Sequence, residues 1–232
     1  MGSPDLPSLI RAEPAGHPWW VVRLRHGCTN VVALYLLFLT PSMGVAETGP
    51  PPAPPSIEER REAVRKAPTD PRARLELGVA YAQAQEYDFA MAELVEAIKL
   101  NPENRDNLSA QANYHLGTVL LMLDRAALAA NAFREALRLG WKDVSVYLGL
   151  GQAFSKQGKF EEAALQYREA LRLAPHMTGL HASLALMLEA SGRIDEAITH
   201  YELYLQSAPA EAQHGIEVIR QRLAKLKERR KM

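Results

Sequence analysis

The stretch Val144 to Ala174, VSVYLGLGQAFSKQGKFEEAALQYREALRLA, constrains the fold more than any other part of the chain. Tyr147, Leu150, Gly151 and Phe154 recur at helical spacing, so they share one face of a helix. Lys156 to Lys159 interrupts the pattern, and Gly158 is free to take a positive φ at the end of that helix. Ala163, Tyr167 and Ala170 then mark one face of a second helix, and Pro175 cannot continue it. The stretch is therefore a helical hairpin. A hairpin this small cannot bury its apolar face alone, so partners of the same kind are required.

Copies are present on both sides. Downstream, His181, Leu184, Ala185, Leu188, Gly192, Ala197, Tyr201, Tyr204 and Pro209 fit the pattern. Upstream, Asn113, Leu116, Gly117, Leu120, Ala129, Phe133 and Ala136 fit, with Trp141 where a proline is expected. Further upstream, Arg74, Leu77, Gly78, Tyr81, Ala90, Leu94, Ala97 and Pro102 fit. The copies start at Pro71, Ala110, Val144 and Thr178, with Arg105 to Ser109 as extra residues before the second. A large residue, Leu-Gly, an aromatic, then Ala, aromatic, Ala and Pro, repeated about every 34 residues, resembles the tetratricopeptide repeat family. The resemblance implies an all-α, tetratricopeptide-type helical-hairpin solenoid, a right-handed superhelix. Repeats are expected over 71–104, 110–143, 144–177 and 178–211.

Both ends of the array need covers. Ser56 followed by Glu58 and Glu59 signals a helix start, and Ala63 and Pro68 fall in phase with the second helix of a repeat. Residues 56–70 are expected to form an N-terminal half-repeat. Ile216, Ile219, Leu223 and Leu226 lie on one face of a helix over 212–232 whose remaining surface is basic, the pattern of a C-terminal capping helix.

The N-terminal region reads differently. Arg23, Arg25 and His26 precede an apolar run, Val31 to Leu39, followed by a small-residue site ending at Ala46. This order is that of a secretory signal peptide, and the apolar run is shorter than the roughly 20 residues a membrane-spanning helix needs. Residues 1–46 are thus expected to be an N-terminal extension and signal peptide, with translation expected to begin near Val21. Residues 47–55 form a proline-rich linker, GPPPAPP at its core. The expected location is outside the cytoplasm, the periplasm in a bacterium. An uncleaved segment over 28–46 would instead anchor the protein, and only then is membrane contact expected.

The chemistry-bearing residues exclude several classes of function. The formal net charge is zero, so a general attraction to nucleic acid is not expected. Cys28 is the only cysteine. Seven histidines are present, but His176 and His181 are not spaced as a helical i, i+4 pair, and His115, His200 and His214 lack a ligand partner near in sequence. No nucleophile–base order, phosphate loop or metal-binding helix motif occurs, so no catalytic residue, cofactor or metal is expected.

The resemblance implies a protein-interaction scaffold. The resemblance implies a concave face built from the first helix of each repeat, on the side away from the Leu-Gly contacts. Carried onto this chain, that face takes Leu75, Val79 and Ala82, then Tyr114, Thr118 and Leu121, then Leu148, Gln152 and Ser155, then Ala182, Leu186 and Glu189. Family members that grip a peptide carboxylate place Lys, Arg and Asn there. Here Lys156 is the nearest cation and lacks a matching Asn or Arg. The expected partner is another protein, bound through an apolar or amphipathic segment. A membrane-anchored assembly factor, or an accessory subunit of an envelope enzyme such as a glycosyltransferase or protease, is the alternative.

Overall fold

The computed structural model describes residues 54–230. The signal segment, its apolar run, Cys28, the translation start and most of the linker lie outside the described residues. Among the described residues ten α-helices follow one another: α1 (Ile57–Lys66), α2 (Pro71–Gln83), α3 (Tyr87–Leu100), α4 (Leu108–Met122), α5 (Ala126–Arg138), α6 (Val144–Lys156), α7 (Phe160–Leu173), α8 (Gly179–Ala190), α9 (Ile194–Ser207) and α10 (Gln213–Arg229). No strand occurs among the described residues. Each helix packs on the next, and α2 also meets α4, as α4 meets α6. This is an all-α solenoid of helical hairpins, with α1 at one end and α10 capping the other.

Local chemistry starts the helices. Ser56 and Glu59 form a reciprocal capping box on α1. Asp70 accepts from the Arg72 amide with Pro71 at the first helical position, and Asp143 accepts from the Ser145 amide. The turns within the hairpins share one device. Gln85, Asp124, Gly158 and Gly192 all take positive φ. The amide after each donates to a carbonyl five residues back: Glu86 to Tyr81, Arg125 to Leu120, Lys159 to Phe154 and Arg193 to Leu188, at 2.8–3.0 Å. These bonds close a Schellman-type helix end. Two of the four sites manage it without glycine.

The second repeat departs from its expected start. Its first helix begins at Leu108, not Ala110, because the extra residues fold into a polar knot that feeds straight into the helix. Asn104, Asp106 and Asn107 are all left-handed, a conformation Asn and Asp tolerate. Buried Asn101 accepts from the Arg105 amide at 3.1 Å, and the Ser109 hydroxyl donates to the Asn101 carbonyl. Asn104 accepts from the Ala110 amide at 2.9 Å and donates to the Leu139 carbonyl at 3.1 Å, tying the insertion to the end of α5.

Phe133 of α5 is the pivot between repeats. It is 1% exposed. A Cβ placed on Gly117 of α4 would lie 2.7–2.8 Å from its ring atoms, and one on Gly149 of α6 would be closer still. Two glycines on neighbouring first helices therefore clasp one aromatic ring. Gly151 plays a milder version of the same part against Tyr167, at 3.0–3.2 Å. Trp141 is partly buried against the core, and its indole nitrogen is buried without a hydrogen-bond partner.

Candidate functional site

The first helices α2, α4, α6 and α8 supply the candidate face. Because α2 touches α4 and α4 touches α6, the outward positions of these three helices form a continuous surface across repeats. The structure divides the residues expected there into two groups. Leu75 and Leu121 are 5% and 6% exposed and belong to the hydrophobic core. Their side chains are mostly enclosed by the core rather than presented on the surface. Leu75 is covered because it shares a core with Leu108, Ala112 and Val119 of α4, and Leu121 because it joins the core formed with Ala129 and Ala130 of α5.

The others are half-buried or exposed. Val79, Ala82, Leu148, Ala182 and Leu186 are half-buried, each with one side against the core. Tyr114 is half-buried, its ring centroid 6.1 Å from that of Phe133, so part of it belongs to the repeat seam. Thr118 donates its hydroxyl to the Tyr114 carbonyl at 3.1 Å. Gln152 is exposed, Ser155 and Glu189 half-buried. Glu189 is engaged elsewhere, accepting from Tyr201 and Arg222. Lys156 pairs with Asp124 at 2.6 Å.

Leu75 and Val79, both expected on this face, meet residues that sequence reasoning did not place there. Leu75, Val79 and Leu108 form the apolar side of a cavity of about 200 Å³ whose remaining walls are Arg60, Arg72, Glu76, Gln111 and His115. Burial lowers the pKa of His115. Gln111 and His115 are four apart on α4, a signal available in the sequence, but the histidine was weighed there only as a metal ligand. No group of three or more His, Cys, Asp or Glu side chains able to hold a metal occurs among the described residues.

Two tetratricopeptide repeat profiles match the chain, one over residues 52–141 and the other over residues 148–212. The chain belongs to the tetratricopeptide repeat family. No curated protein matches the sequence. Among solved structures, MamA is similar at a TM-score of 0.61 and 24% identity, over 68% of this chain and 89% of that one. YrrB, described as a TPR protein with an unusual peptide-binding site, is similar at 0.61 and 19%, over 74% and 90%. PilF of Pseudomonas aeruginosa is similar at 0.60 and 23%, over 75% and 78%. These likenesses bear on the fold.

Proposed function

We propose that the protein is a non-enzymatic scaffold whose first-helix face binds an apolar or amphipathic segment of another protein, most simply a helix. The carrying observation is the row of half-buried aliphatic side chains, Val79, Leu148 and Leu186, beside exposed Gln152. Each aliphatic has one side packed and one side open, so a partner gains burial without the face having to rearrange. A peptide-binding site in the similar fold of YrrB supports the same use of the architecture. The action is proposed to lie outside the cytoplasm, in envelope assembly or secretion, on the strength of the apolar run at Val31 to Leu39 and the small-residue site after it. Substituting Leu148→Ala and Leu186→Ala together is expected to weaken binding of the purified partner by about 2–4 kcal/mol, with helix content by circular dichroism preserved. Binding that survives the double substitution but disappears in moderate salt would point to a charged surface instead.

A further inference from the structure

His181 of α8 and His200 of α9 lie 19 residues apart in sequence and meet across the last hairpin, Nδ1 to Nδ1 at 2.9 Å. Their ring centroids are 5.2 Å apart and the ring planes differ by 24°. The two nitrogens therefore lie between the rings, close to the line joining the centres, and each aims at the other. That is the geometry of a single hydrogen bond. It exists when one Nδ1 carries a hydrogen and the other does not. It is lost when both rings are cationic.

The register of this contact is informative. Counted from the starts of their repeats, His181 and His200 occupy the places held in the first repeat by Arg74 and Glu93. Arg74 and Glu93 form an ion pair at 2.8 Å, with both side chains about one-fifth exposed. The same bracket between the start of one helix and the middle of the next is therefore built from charged side chains at one end of the solenoid and from imidazoles at the other. We propose that His181 and His200 form an acid-sensitive latch that holds the C-terminal repeat and its cap closed at neutral pH and loosens them when both rings are protonated.

The surroundings oppose a second proton. From α7, Arg168 faces His200; from α9, the Glu196 carboxylate lies near it. Glu196 is already engaged by Arg168 at 2.6 Å and by Arg193. On α8, Glu189 is held by Tyr201 and Arg222. From α10 and its C-terminal cap residue, Arg222, Lys227 and Arg230 are paired with Glu189, Glu202 and Asp195. Burial lowers the affinity of both rings for protons, and His181 and Arg168 add to this at His200. For histidines whose folded pKa lies below the unfolded value near 6.5, the unfolded chain binds more protons in the interval between, so stability is full above that interval and falls as pH drops through it. The bracket of the first repeat, Arg74 with Glu93, contains no imidazole.

The test is hydrogen–deuterium exchange of the full chain at pH 7.5 and pH 5.0, corrected for the intrinsic rate. Opening of residues 179–229 is expected to become about tenfold more frequent for each pH unit over which one extra proton is taken up on opening, while Pro71 to Leu100 stays unchanged. The double substitution His181→Arg with His200→Glu, which copies the first repeat, should remove the response. His200→Gln, which keeps an acceptor but cannot become cationic in this range, should reduce it. An acid response spread evenly over all repeats, no response at all, or a response undiminished in both variants would overturn the latch.

Discussion

Replacing Phe133 with Ala should destabilise the protein by about 3–5 kcal/mol, the range for removing a buried aromatic side chain. The ring fills the space between Gly117 and Gly149, each of which approaches it too closely to carry a Cβ. Neither glycine has a side chain to relax into the gap, and Ala129, Ala130, Ala132 and Ala136 on the same helix are small. The loss falls at the joint between the second and third repeats. Repeat arrays depend on such nearest-neighbour joints for cooperativity, so urea unfolding of Phe133→Ala should separate into two transitions. The same experiment contains its control. Gly117→Ala should be destabilising in the parent protein and nearly neutral in the Phe133→Ala background, since the clash it creates is with that ring. A single transition with less than 1 kcal/mol lost, well below the expected range, would remove Phe133 from its central place.

Deleting residues 211–232 should have a comparable effect by a different route. Ile219, Leu223 and Leu226 of α10 are buried, and each contributes about 1.5–3 kcal/mol by leaving water. Their removal also uncovers α9, where the Tyr204 hydroxyl lies 2.9 Å from the place a Cβ on Gly215 would occupy. Two basic residues of the helix and the one that ends it fasten it to the last repeat: Arg222 to Glu189, Lys227 to Glu202 at 2.6 Å and Arg230 to Asp195 at 3.1 Å. These pairs are partly exposed and contribute little individually. They align the cap while the apolar stripe holds it. The truncated protein is expected to melt on the order of 10 °C lower and to associate through the uncovered face. A truncated form that is monomeric and as stable as the parent would show that α10 is not a cap and would make a binding role for its basic residues the better reading.

The two effects show which parts of the structure the sequence carries openly. Hairpin and solenoid were legible because the residues that pack recur at fixed local spacing, as Leu150, Gly151, Phe154, Ala163 and Tyr167 do. Gly158 was legible as a helix end because its neighbours break the periodicity. The features that escaped depend on residues far apart. Gly149 falls outside the repeat pattern, and its function appears only when α6 meets Phe133. Leu75 and Leu121 lie on the expected stripe of their helices, but neighbouring helices cover them, and no local pattern records that. His181 and His200 were weighed as separate side chains, although aligning their repeat with the first would have set them against Arg74 and Glu93. The early start of α4 escaped because an Asn- and Ser-rich insertion reads as a loop, whereas Asn101, Asn104 and Ser109 bond it into a helix start.

The central claim is that the first-helix face takes the partner, and site-specific photo-cross-linking measures this most directly. A photoreactive residue in place of exposed Gln152 reports on that face, and one in place of Leu165, 54% exposed on the second helix of the same repeat, reports on the other. In cells, the Gln152 position is predicted to give a discrete protein adduct whose cross-linked peptide carries apolar residues three and four apart, and the Leu165 position is predicted to give none. Adducts formed at Leu165 alone, or an adduct at Gln152 mapping to a peptide with no apolar face, would contradict it.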